Sequence, residues 1–172
     1  VAPAWLPGGH AQTLYAVLLR RPRPPYRRER WELADGDFLD LDWLDGPADA
    51  PLVVLFHGLE GNSRGHYASF LMDALGRWGW RGVVPHFRGC SGEPNRLPRA
   101  YHSGDSAEIG LVLERLRRVA GRAPLYAAGV SLGGNALLKW LGERGDAAAN
   151  LVAAAATVSA PLDLPAAGAA LD

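Results

Sequence analysis

Cysteine is nearly absent. Cys90 stands alone in 172 residues, so no disulfide can close within the chain. A single thiol suits a reducing compartment, and a cytoplasmic location is the expectation. A surplus of either charge is missing too. Eighteen Lys and Arg balance 18 Asp and Glu, and no global field argues for nucleic acid. No apolar run approaches the ~20 residues of a membrane-spanning helix. The longest, Leu151 to Pro161, is broken by Thr157 and Ser159. There is no GxGxxG fingerprint, and Gly58 to Gly65 contains no lysine, so it is not a P-loop. His57 and His66 lie near one another without cysteines or a second carboxylate pair, and neither a metal nor a cofactor is expected. Val1 is not an initiator methionine, which leaves room for a removed targeting segment.

What is present suits one folded domain, residues 1–172. Hydrophobic residues make up 48%, which excludes a disordered chain. Residues 1–30 read as an arm, with a short helix from Ala11 to Leu19. Arg20 to Arg30 then carries six arginines and three prolines. It reads as a solvated, extended surface connection, with an anionic membrane or phosphate as the functional alternative.

Arg30–Leu33 and Phe38–Trp43 pattern as a hairpin around Asp35-Gly36, a favoured turn pair. Leu52–Phe56 is a continuous apolar run, as expected of a strand covered on both faces. Tyr67, Phe70, Leu71, Leu75 and Trp78 mark a helix. Gly82–Phe87 reads as a strand. Asp105-x-x-Glu108 resembles a capping box at the head of a helix whose buried face is Ile109, Val112, Leu113, Leu116 and Val119. Leu125–Ala128 and Leu151–Val158 complete the strands, with a helix from Leu132 to Glu143 between them. Alternating strands and helices imply an α/β fold with a mostly parallel sheet over residues 31–160 and an N-terminal antiparallel hairpin.

The informative motif is Gly129-x-Ser131-x-Gly133 between strand and helix. Such an elbow exposes a serine hydroxyl at a sharp turn, with small residues letting the two elements approach. Ser131 is the candidate nucleophile, and the Leu132 amide points where negative charge would develop. A second donor is expected from the loop after the third strand. Gly58 allows that loop to turn, and Leu59 is the first choice. His102 and Asp105 read as capping and loop-fixing residues, Cys90 as a structural thiol, and Asn135 as packing near the elbow.

Gly9-His10-Ala11-Gln12-Thr13, Asp35 to Trp43, His57 to Gly61, Phe87 to Gly92, Tyr101 to Asp105 and Gly129 to Asn135 together resemble the α/β-hydrolase fold family. The likeness is to its branch of bacterial YheT-like hydrolases and mammalian abhydrolase-domain lipid esterases. That resemblance implies a carboxylic ester hydrolase acting on short- to medium-chain acyl esters, in some members on lipids. Ser131 matches the family's nucleophile. No histidine follows Ser131, although the family orders its triad serine, acid, histidine. The chain is therefore expected to be an N-terminal portion, with six strands of a larger sheet and its acid and histidine elsewhere. Asp163 is expected to open a cap segment, residues 161–172. Two other functions stay open: a non-catalytic binding module on the same fold, and a thioester or amide hydrolase. Peripheral membrane contact also stays open.

Overall fold

The computed structural model describes residues 3–18 and 21–169. The expected helix end at Leu19, the first arginine of the basic run, Arg20, and cap residues 170–172 lie outside them. The elements are α1 (Gly9–Leu18), β1 (Arg27–Glu32), β2 (Phe38–Leu44), β3 (Leu52–Phe56), α2 (His66–Arg77), β4 (Arg81–Pro85), α3 (Ser106–Ala120), β5 (Leu125–Val130), α4 (Leu132–Arg144), β6 (Ala154–Val158) and α5 (Leu164–Ala169). A 3-10 turn, Gly145–Asn150, follows α4.

The six strands form one sheet in the order β1-β2-β4-β3-β5-β6. β1 and β2 are an antiparallel hairpin, and β2 meets β4 antiparallel. β4, β3, β5 and β6 run parallel. The expected mixed sheet is therefore present. Strand period sorts the core. Leu52, Val54 and Phe56 face α3 and α4, joined by Leu125, Ala127, Ile109, Leu113 and Trp140. Val53 and Leu55 face α2, where Ala68, Met72 and Leu75 meet them.

The helix marked by Tyr67, Phe70, Leu71, Leu75 and Trp78 is present as α2, with Trp78 at its C-cap, and two expectations about α3 need correction. On α2, Tyr67, Phe70 and Trp78 are exposed, and Ala68, Ser69, Met72 and Leu75 point inward. The cause lies in β4: Gly82 has no Cβ where Met72 Sδ sits, so Met72 fixes the helix phase. Asp105 caps no helix amide with its side chain. It accepts both bonds from Arg99 Nη2 at 3.1 and 3.0 Å, while Glu108 accepts from Arg88 Nε at 2.9 Å. Val119 is half exposed, and Ala120 takes the inward position.

The basic run is also more structured than a plain connection. β1 begins at Arg27, because its arginines find carboxylates on β2. Arg28 lies opposite Asp42 and Arg30 opposite Asp40. Each guanidinium binds its aspartate in two-pronged fashion at 2.7–2.9 Å, and both carboxylates are buried. Opposite charges directly across a sheet stabilise the pairing. β6 starts at Ala154 rather than Leu151, and most of its residues are exposed.

Asp42 is the centre of a wider network. Ser63 Oγ donates to it at 2.5 Å, and His86 Nε2 lies 3.5 Å away. His86 Nε2 accepts the Ser63 N–H at 3.2 Å. Burial holds the His86 imidazole down at about 4, against an upward pull from Asp42. Burial raises the Asp42 carboxyl, but the Arg28 and Ser63 hydrogen bonds hold it below its ordinary value.

The helix phase predicts unequal costs on α2. Met72→Ala should destabilise by about 3 kcal/mol and Phe70→Ala by under about 1 kcal/mol, read from urea denaturation. Equal losses would show that Phe70 packs after all. The acid response has a definite sign. A histidine held neutral in the fold takes its proton more readily when unfolded, so His86 makes stability fall as pH drops from about 6.5 towards about 4. Asp42 adds a further loss below the ordinary carboxylate range. His86→Gln should flatten the upper part of that slope, on the order of 3 kcal/mol across the window. An unchanged slope in urea midpoints from pH 7 to 4.5 would refute it.

Candidate active site

Ser131 sits between the last residue of β5 and the first of α4. Its backbone is at φ 53°, ψ −118°, a left-handed conformation unusual for a residue with a Cβ. Such a conformation costs on the order of 1–3 kcal/mol and persists only where the surroundings enforce it. Here they do. The Ser131 N–H donates to Val158 O on β6 at 2.9 Å, and Ser131 O accepts the Asn135 N–H at 2.9 Å. The flanking glycines are required by contact. A Cβ on Gly129 would lie 2.7 Å from Gly134 Cα, and one on Gly133 would run into the Phe56 and His57 carbonyls. Only bare backbone lets α4 rest on the ends of β3 and β5.

The loop after β3 passes beside the serine. A Cβ on Gly58 would stand 3.2 Å from Ser131 Cβ. Three side chains fasten this loop. His57 is fully buried, and its Nε2 accepts the Phe87 N–H at 3.0 Å. Nδ1 therefore carries the proton and donates to Gly58 O at 2.8 Å. Tyr67 Oη accepts the Gly58 N–H at 2.9 Å. Tyr101 Oη accepts the Glu60 N–H at 2.8 Å and donates to Glu60 Oε1 at 3.0 Å, across a Glu60 backbone at φ 52°. Between these fixed points the Leu59 side chain is exposed. Among the described residues, neither the Leu59 nor the Leu132 amide N–H meets an acceptor. The Leu132 amide opens a 13-residue helix, whose positive end favours negative charge nearby.

The structure thus brings Ser131, Gly58, Gly129 and Gly133 together and leaves the Leu59 and Leu132 amides free. Tyr67 and Tyr101 were not legible as site residues. Tyr67 patterned with the apolar residues of α2, and Tyr101 lies 41 residues from the amide it holds.

The histidines are differently engaged. Both ring nitrogens of His57 are occupied, and burial holds it neutral, with a value of about 4. His86 serves the Asp42 network. His102 is exposed, with Nδ1 2.8 Å from Ser103 O. Among the described residues, no histidine bonds the Ser131 hydroxyl. Cys90 is half-buried, and burial pushes its thiol up. Asn135 Nδ2 donates to Pro161 O at 2.8 Å, tying α4 to the chain after β6. Asp163 Oδ1 accepts the Ala166 N–H at 2.9 Å and so caps α5.

Known proteins share this arrangement of chain. The Escherichia coli (strain K12) protein YheT, an esterase by name, is 49% identical over 162 residues, 91% of this chain and 47% of its own. Human phospholipase ABHD3 is 32% identical over 163 residues, 90% of this chain and 40% of its own. The chain spans about half or less of the length of these curated relatives. Among solved structures, the Pyrococcus furiosus esterase Pf2001 matches with a TM-score of 0.64 at 19% identity, over 84% of this chain and 55% of its own. An alpha-beta serine hydrolase homologue from Coxiella burnetii matches with a TM-score of 0.63 at 16% identity, over 80% of this chain and 64% of its own. Identities this low bear on the fold alone. Residues 51–171 match the family model described as the alpha/beta hydrolase fold, and the chain belongs to that family.

Proposed function

We propose that this chain carries the nucleophile and oxyanion hole of a serine carboxylic ester hydrolase acting on short- to medium-chain acyl esters. The observation that carries the reading is the left-handed turn at Ser131 beside two backbone amides without acceptors, Leu59 and Leu132. Ser131 Oγ attacks the ester carbonyl carbon. The carbonyl oxygen becomes an oxyanion held by the Leu59 and Leu132 N–H groups, the alcohol leaves, and water releases the acid from the acyl-serine. The names of the relatives, an esterase and a phospholipase, support this reaction class.

Attack requires a base for the serine proton. His57 and His86 are buried, neutral and already bonded, His102 faces solvent, and the buried ring nitrogens of His66 bond nothing, the Ser131 hydroxyl included. In this fold family the acid and the histidine follow the serine, so the proposal takes both from outside residues 1–172, in the whole protein. No cofactor is part of the reaction. Among the described residues no helix is long and apolar enough to cross a membrane, and a small acyl ester or a lipid remains the proposed substrate. If no such base exists, the same geometry describes a binding module.

A fluorophosphonate probe should label the whole protein once, at Ser131. Ser131→Ala should remove both labelling and p-nitrophenyl ester turnover, and labelling elsewhere or retained turnover would sink the assignment. The loop staple gives a subtler test. Tyr67→Phe deletes the hydroxyl that receives the Gly58 N–H and frees the loop carrying the Leu59 amide. We expect kcat to fall by about tenfold with KM little changed, short of the full loss of one donor. Wild-type kcat in Tyr67→Phe would show that the staple does not set the donor.

A further inference from the structure

The arginine-rich segment ahead of the sheet divides into two halves. Arg27, Arg28 and Arg30 are neutralised by Asp45, Asp42 and Asp40. Arg21 and Arg23 are in no ion pair among the described residues, and neither is Arg64 on the loop before α2. These three guanidinium-bearing residues border one groove of about 1090 Å³, with Pro22, Pro24, Tyr26 and Ser69 in its wall and no carboxylate among the described residues that line it. We infer that this groove is a binding site for a phosphate-bearing anion.

The local chain builds the site. Pro22 and Pro24 are half-buried while Arg21 and Arg23 are exposed, so the prolines hold an extended segment that shows its two arginines to the groove. Arg21 Nη1 donates to Arg64 O at 3.4 Å, and Tyr26 Oη donates to Ser63 O at 3.0 Å. Both bonds fasten the segment to the loop that carries Arg64. From α2, Ser69 lines the groove, a hydroxyl-bearing residue with no charge of its own. A second groove, of about 480 Å³, shows the contrast. It mixes Arg115, Arg118 and Arg144 with Glu114 and Glu143, and Arg144 is paired to Glu114 at 2.8 Å. Two carboxylates there offset part of the charge of three arginines, whereas the first groove keeps three arginines outside any ion pair among the described residues, forks of the kind that match phosphate oxygens. The site is separate from Ser131 and stands whether or not that serine is catalytic.

Phosphate of this kind is offered by a soluble phosphate ester or by an anionic lipid headgroup. The test uses the intact protein in two arms: titration with inorganic phosphate followed by thermal shift, and cosedimentation with vesicles of phosphatidylglycerol in phosphatidylcholine against phosphatidylcholine alone. The variant is Arg23→Gln with Arg64→Gln. Arg118→Gln with Arg122→Gln removes the same charge elsewhere. Melting curves and circular dichroism of both establish folding. We expect the first pair to weaken binding by about tenfold or more and the control pair by less than about twofold. Loss in the phosphate arm identifies a soluble ligand, and loss in the vesicle arm alone identifies a headgroup. No wild-type binding in either arm, or equal weakening by the control pair, overturns the site.

Discussion

The structure turns on a steric constraint: the first turn of α4 must lie in direct backbone contact with the ends of β3 and β5. Gly133 meets the Phe56 and His57 carbonyls, and Gly129 meets Gly134. No side chain fits between them. That contact holds Ser131 in its left-handed turn, and Gly58 of the loop after β3 lies against the serine. The strain at Ser131 is tolerated because both flanks are clamped, by β6 through Val158 O and by α4 through Asn135. Local backbone strain held by a packed scaffold is the usual condition of a preorganised site.

Buried charge performs the second organising task. Asp37 is wholly buried at the head of β2. It accepts from Arg88 at 2.9 Å, from Asn95 Nδ2 at 2.8 Å and from the Arg96 N–H at 3.0 Å. Arg88 also binds Glu108 on α3, so one guanidinium joins the hairpin, the loop after β4 and a helix. Asp42 likewise joins β1, β2 and the loop before α2. Such groups add modest net stability, because desolvation offsets much of the attraction. Removing one partner leaves an uncompensated buried charge, which costs roughly 3–5 kcal/mol. Their value here is geometric: each charge is satisfied only when several segments are in register. Ser63, held by Asp42, begins the turn into α2, and Tyr67 of α2 then holds Gly58.

Much of this was legible in the amino-acid order. The apolar run Leu52–Phe56, the strand at Phe38–Trp43, the Asp35-Gly36 turn and the strand-to-helix sense of Leu125–Asn135 all appear in the structure. Each depends on local period or on backbone chemistry carried by a few adjacent residues. What was misread depends on distant partners. Tyr67, Phe70 and Trp78 marked the helix, but which of its residues face inward was not legible, because Met72 seats where Gly82 on another strand has no Cβ. Asp105 and Glu108 had the spacing of a capping box, yet Arg99 and Arg88 offered stronger, charged partners.

The sequence by itself determined the fold class, the glycine-flanked serine and the absence of any histidine after it, because these follow from short-range pattern and from residue identity. Only the tertiary structure decided which arginines are neutralised and which remain unpaired around a groove. It alone also decided that His57 and His86 are buried and bonded, and that two tyrosines and a histidine fasten the loop beside Ser131. Those outcomes depend on distance and desolvation between groups tens of residues apart, and neither is encoded in the spacing of residues along the chain.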